Sequence, residues 1–332
     1  MRYCLPAILT ILFIALSELG YFYLLPIILL IANVLNFYWG EFKPAEIRSE
    51  LRFFYTSPIA INIKRWSAVV FTGMTAWSIF HVYSHNFSYT YIIGLSLCVG
   101  ALSGCFIVTL AHDLLHSRHP IDKYISSTLL IITGIPHLSA DHVFGHHRII
   151  GLKHDCSTAK LNQNFYNYFL RIFCSRIYNS YVAQFKLPGY VRKKIFRVTI
   201  WLTIFWILLC ITILFITDWQ IKCLLIFLIQ GIVAYILYEL INYIQHYGLA
   251  RKTDEPISQS LAWNCYYKYT NYILFMLPLH SLHHLPPAKR KVEECELTAG
   301  PRMPYLYFGM IAMAVIPPIW FWKMNKMVKK FN

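Results

Sequence analysis

Six apolar stretches, most of them close to the ~20 residues that a helix needs to cross a bilayer, constrain this 332-residue chain more than any other feature. They cover residues 5–19, 21–39, 66–83, 91–110, 198–216 and 223–244; "VTIWLTIFWILLCITILFI" (198–216) is representative. Lipid supplies no water to the backbone, so a chain of this pattern crosses the membrane as helices. Only 14% of the residues are charged, against roughly 25% in soluble domains. The first two runs also fit a signal sequence followed by one span. Against that, "MRYC" is a weakly basic start, no small-residue cleavage site follows it, and a second span comes at once. The expected fold is an all-α polytopic membrane protein with six transmembrane helices, forming one domain over 1–332. A large insert (111–197) and a C-terminal section (245–332) are expected on the cytoplasmic side.

The net charge of +15 follows that topology. With a cytoplasmic N-terminus, every one of the 30 lysines and arginines except Lys222 falls on the inner side, as the retention of basic loops during insertion requires. Both termini are then cytoplasmic, and the basic excess favours anionic lipid headgroups. No nucleic-acid recognition motif accompanies it. Two shorter apolar segments, 125–140 and 308–322, are expected to lie in the interface or pack beneath the bundle; Pro317 and Pro318 interrupt the second.

Nine cysteines are scattered without a C-x-x-C pair, so neither a disulfide framework nor a tetrathiolate site is indicated. There is no G-x-G-x-x-G and no phosphate-binding loop. Any redox chemistry therefore draws its electrons from another protein.

Nine of the 14 histidines fall in four groups just past a span or within the inner segments. "HDLLH" sets His112 and His116 one helical turn apart, and "HVFGHH" sets His142, His146 and His147 at i, i+4 and i+5. "HSLHH" holds His280, His283 and His284, and His246 ends the sixth span on one stripe with Glu239 and Asn242. Neutral imidazole is the commonest metal ligand. Nine are too many for one ion and suit two, with four or five nitrogens each. His81, His85, His119, His137 and His154 lack this patterning; the first two suit ordinary packing near the outer end of the third span. Glu239, a carboxylate within a span, is expected to accept an imidazole N–H, and Asp113, Asp141 and Asp155 are placed to do the same.

These boxes resemble the membrane-bound alkane hydroxylase (alkane 1-monooxygenase) family, grouped with xylene monooxygenase and the membrane fatty-acid desaturases and hydroxylases. "HDLLHS" (112–117) is similar to its His-Glu-Leu-x-His-Lys box, and "DHVFGHH" (141–147) to Glu-His-x-x-Gly-His-His. "NYIQHYGL" (242–249) and "LPLHSLHH" (277–284) resemble its third and fourth boxes, and "WNC" (263–265) its closing region. The resemblance implies a cytoplasmic dinuclear non-haem iron site and terminal hydroxylation of hydrocarbon chains. The ligands would be His112, His116, His142, His146, His147, His246, His280, His283 and His284. Oxygen would be the oxidant, with electrons from rubredoxin or a ferredoxin-type donor and its reductase, and the substrate would enter from the bilayer. The chain departs from the family where Asp113 and Asp141 replace Glu, Ser117 replaces Lys, Gln245 replaces Glu and Leu282 replaces Asp. All nine histidines remain, so an alkane as the substrate is less secure than metal binding. Three alternatives stay open: a desaturase on the same site, a non-redox zinc protein, and a metal-binding but inactive relative.

Overall fold

The computed structural model describes residues 2–181, 189–285 and 298–331. Cys295 and parts of the insert and of the C-terminal section lie outside the described residues. In chain order the helices are α1 (Leu5–Glu18), α2 (Leu25–Trp39), α3 (Pro44–Thr56), α4 (Pro58–Ser84), α5 (Tyr89–Leu102), α6 (Val108–Leu115), α7 (Pro120–Ile132), α8 (Leu138–Ala140), α9 (His147–Ile149), α10 (Phe165–Tyr181), α11 (Gly189–Ile216), α12 (Ile221–His246), α13 (Lys268–Ile273), α14 (His280–His283), α15 (Tyr307–Ala314) and α16 (Pro317–Phe331). Two π-helical segments interrupt them, Ser103–Ile107 between α5 and α6 and Asp141–His146 before α9. Among the described residues there is no strand, only two isolated bridges.

Among the described residues, four helical stretches are long and apolar enough to cross a bilayer: Phe22–Trp39, Tyr89–Leu115, Arg197–Ile216 and Ile221–His246. The runs at 5–19 and 66–83 fall on α1 and α4. The 14 residues of α1 reach only ~21 Å at 1.5 Å per residue, short of the ~30 Å hydrocarbon core. With 27 residues α4 has the length, but Ser, Thr, Trp and His dilute its apolar character. The late apolar segment breaks where the prolines said it would: α15 ends at Ala314, and Pro317 and Pro318 open α16, where a missing N–H costs nothing.

The described chain forms two compact units. The first comprises residues 1–31, 62–140 and 180–238, and its helices approach one another at glycines. A Cβ on Gly100 would lie 2.6 Å from Val233 Cβ, and one on Gly104 would lie 2.9 Å from Leu237 Cβ, so this small-x-x-x-small pair brings α5 against α12. Gly231 likewise abuts the Thr133 carbonyl, and Gln230 Nε2 donates to Ile132 O at 2.7 Å, satisfying an orphan carbonyl of α7. At one end of the unit Lys222 donates to Phe87 O (2.7 Å) and Tyr83 to Asp218 (2.9 Å). His81 lies between Glu18 and Tyr91 there, stacked on Trp77, which accounts for it as a packing residue.

The second unit comprises residues 32–61, 141–179 and 239–332. Trp320, Met324 and Val328 form the buried stripe of α16, and Trp320 packs against Tyr243 and Tyr247. Asn36 Oδ1 accepts from the backbone and hydroxyl of Thr270, fixing α13 to the end of α2.

Close packing at Gly104 makes a direct prediction. Gly104→Leu should lower the thermal midpoint of the solubilised protein by an amount corresponding to about 1–3 kcal/mol of overpacking. Gly73→Ala, on α4 with nothing within 4 Å of its Cβ position, should not.

Candidate metal centre

The second unit gathers seven imidazoles. Four of them, His146, His246, His280 and His284, are buried with ligand nitrogens all within 4.8 Å of one another. Three more, His142, His147 and His283, meet the same criterion. The two groups adjoin, since the rings of His147 and His284 are 4.5 Å apart. In the first unit His112 and His116 lie at the end of α6, with ring centroids 5.5 Å apart.

Local structure aims these rings. The π segment Asp141–His146 places His142 and His146 on a widened turn, their rings 5.6 Å apart. His246 is the last residue of α12, and α14 carries His280 and His283, with His284 at its C-cap. The "WNC" segment clamps two of these elements together. Trp263 N donates to Gln245 O at 2.8 Å and its indole donates to Tyr247 O at 3.0 Å. Asn264 accepts from Ser281 N (2.9 Å) and donates to Ser281 Oγ (2.8 Å). A Cβ on Gly300 would lie 2.3 Å from Asn264 Nδ2, so only glycine fits beside that clamp.

The hydrogen bonds behind the rings decide where their lone pairs point. His146 Nδ1 faces Asp155 at 3.0 and 3.2 Å, and a carboxylate only accepts, so this nitrogen carries the proton. His146 Nε2 is buried and has no hydrogen-bond partner. His246 Nδ1 likewise faces the Leu261 carbonyl at 3.0 Å, leaving Nε2 as an acceptor. That Nε2 lies 3.1 Å from His280 Nε2, which is itself 2.9 Å from His284 Nε2. In the second group His147 Nε2 sits 2.9 Å from His142 Nε2 and 3.1 Å from His283 Nε2. One ring nitrogen cannot donate fully to two others, so hydrogen bonds alone leave lone pairs opposed in a dry interior. A cation resolves this. Imidazole nitrogens about 2.0–2.1 Å from a metal, arranged at right angles, are separated by about 3 Å, which is the spacing found. Burial, followed by the charge of neighbouring imidazoles, pushes His284 well below its ordinary pKa, so the ring is neutral and its lone pair is available.

The acidic residues behave unequally. Asp155 is wholly buried; burial works to raise its pKa, but its interaction with His146 and a hydrogen bond from Thr158 hold it below the ordinary carboxylate range. Ser157 N (3.0 Å) and Thr158 Oγ1 (2.7 Å) complete its shell. Glu239 does not accept from an imidazole. It pairs with the buried Arg176 guanidinium and accepts from Asn242 (3.2 Å) and Tyr168 (3.4 Å). Arg176 also pairs with Asp141, beside His142, and donates to Ser157 Oγ at 3.2 Å. Asp113 accepts from Lys64 Nζ at 3.0 Å. Arg176 and Lys64 were missed in the sequence reading. Buried carboxylates at 141 and 239 and a half-buried one at 113 each call for a cation, and Arg176 recurs with Tyr168 and Ile172 on the buried face of α10. Gln245, by contrast, turns away from the imidazoles and donates to Tyr307 Oη at 2.7 Å. Ser117 bonds Asp122 at 2.6 Å.

Spanning helices that end in clustered, carboxylate-backed imidazoles define an integral membrane protein with a histidine-rich metal-binding cluster. Comparison with known proteins carries this further. The model of the family described as fatty acid desaturase matches residues 87–312. Alkane 1-monooxygenase 1 of Pseudomonas aeruginosa is 29% identical over 286 residues, covering 83% of this chain and 71% of that one. Alkane 1-monooxygenase 2 of Alcanivorax borkumensis is 29% identical over 292 residues, covering 85% and 74%. The hydroxylase component of xylene/toluene monooxygenase from Pseudomonas putida is 24% identical over 243 residues, covering 69% and 62%. The chain belongs to the fatty acid desaturase family, within its alkane hydroxylase branch. It is an oxidoreductase of the monooxygenase kind.

Two substitutions test this geometry. Asp155→Asn should weaken metal retention by about 10–100-fold in competition with a chelator, because His146 loses the charged acceptor that orients it. Arg176→Met should cost about 3–5 kcal/mol in thermal or denaturant unfolding by stranding two buried carboxylates, and adding Asp141→Asn and Glu239→Gln should restore much of that loss.

Proposed function

We propose that this chain is a membrane non-haem di-iron monooxygenase that hydroxylates an unactivated, terminal C–H bond of an alkane or alkyl-chain lipid. The observation that carries the reading is the convergence of buried imidazole nitrogens near 3 Å, with outward-facing nitrogens tied to Asp155 and Leu261 O, in a chain similar to alkane 1-monooxygenases. One ion would take His146, His246, His280 and His284. The other would take His142, His147 and His283, with His112 and His116 completing the nine ligands. Bound iron would supply activation of dioxygen and removal of hydrogen from the substrate carbon. The chain's own residues do the rest. Asp155 and the Leu261 carbonyl keep the protons of His146 and His246 on Nδ1, and Arg176 neutralises carboxylates that would otherwise draw water into the interior. No side chain need serve as acid or base. Electrons would come from rubredoxin or a ferredoxin-type protein with its reductase.

Six spans remain the proposed topology, arranged as three hairpins, with the short α1 and the longer α4 as the first members of the first two. In α4 the hydroxyls of Ser67, Thr72, Thr75 and Ser78 all donate to carbonyls of their own helix, so they add little to the cost of a lipid setting. The concentration of lysines and arginines in the segments outside the spans supports a cytoplasmic side for the metal centre and both termini.

Membranes containing the chain, a rubredoxin and its reductase should convert members of a mixed alkane, fatty-acid and terpene feed into primary alcohols carrying label from isotopic dioxygen, read by mass spectrometry. Alkenes without added oxygen would shift the reading to a desaturase, which the matched family model also accommodates. The purified chain should hold about two irons, and His146→Ala should reduce that content. Zinc in place of iron, or iron far below two after reconstitution, would overturn the proposal.

A further inference from the structure

In the second unit, α10 is amphipathic in the sense opposite to that of a water-facing helix. Tyr168, Ile172 and Arg176 are buried on one side. Tyr166, Leu170, Phe173 and Ile177, at helical spacing, are 46–66% exposed on the other. With 17 residues α10 is about 25 Å long, too short to span a bilayer. Its stripe continues onto a second element. Tyr166 donates to Val315 O at 2.8 Å, at the joint of α15 and α16, where Val315, Ile316 and Ile319 are also exposed. Beyond them the outer face of α16 turns basic. Lys326 lies over the Trp322 ring at 4.8 Å, Lys323 lies over the Tyr305 ring at 4.9 Å, and Lys329 and Lys330 follow. None of the ion pairs among the described residues engages these four lysines.

From this juxtaposition we infer that α10 and the α15–α16 joint lie in the bilayer interface, with their apolar stripe among acyl chains and the α16 lysines on anionic lipid headgroups. The chemistry selects this occupant. A continuous apolar surface with aromatic rings and then ammonium groups at its margin matches the sequence of layers met on leaving a leaflet. The absence of paired acids on the lysine face leaves it complementary to a negative surface. The inference stands independently of which metal the histidines hold and which reaction follows.

Full-length protein in nanodiscs tests it. Cys174, an exposed thiol on the α10 stripe, is labelled with a nitroxide, and a C174S variant subtracts signal from other thiols. In phosphatidylcholine–phosphatidylglycerol discs the label should relax strongly with oxygen and weakly with a water-soluble nickel chelate. Ready access of the nickel chelate would place the stripe in water and overturn the inference. Shielding from both reagents would show a protein covering, a second copy or another partner, and would overturn it equally. Spin-labelled phosphatidylglycerol should be retained over phosphatidylcholine, and replacing Lys323, Lys326, Lys329 and Lys330 with Gln should reduce that preference on the order of tenfold. An unchanged preference would remove the lysines from headgroup recognition.

Discussion

The ion triad of Arg176 with Asp141 and Glu239 underlies the second unit, because it joins three elements that have no sequence proximity. Asp141 opens the π segment carrying His142 and His146, Glu239 lies two turns before His246 on α12, and Arg176 comes from α10. All three are buried, and no member is tolerable there without the others. Dispersion and apolar burial would hold these helices together in many registers. A charged triad with Tyr168, Asn242 and Ser157 filling its remaining hydrogen bonds admits one, and the imidazoles inherit that register.

The polar interior is thus built in layers. Imidazole nitrogens face one another, a carboxylate or carbonyl sits behind the rings of His146 and His246, and cations and hydroxyls neutralise the carboxylates. Gln245 shows where these layers end. It interrupts a box otherwise similar to that of the alkane hydroxylases, yet its partner is the Tyr307 hydroxyl, outside the imidazole groups. The exchange of acid for amide there changes a packing hydrogen bond and leaves the ligand nitrogens alone.

Much of this was legible in the sequence because the strongest signals are local. Apolar length identifies membrane helices, and the doubled histidines of "HVFGHH" and "HSLHH" have little other use in an apolar chain. What stayed hidden depends on partners distant in sequence. Glu239 was read as an imidazole acceptor since His246 shares its helix face, whereas the guanidinium that claims it arrives from α10, 63 residues away. Lys64 reaches Asp113 across 49 residues in the same way. Gly100 and Gly104 matter for the same reason, because the residues that press on them, Val233 and Leu237, come from α12. The shortness of α1 follows from the length of its apolar run, whereas the return of the α4 hydroxyls to their own helix carbonyls is a matter of side-chain conformation that composition does not carry.

The π turn at Ser103–Ile107 has a further meaning for how chains of this kind are compared. It lodges one residue more than α pitch allows between the Gly100 contact and the start of α6. Removing that residue would rotate everything beyond it by about 100°, since a helix advances 3.6 residues per turn. His112 and His116 would keep their identity and spacing but lose their bearing relative to α5. A single-residue gap in an alignment at this point therefore carries more weight than many substitutions elsewhere, although every histidine box would still read as intact.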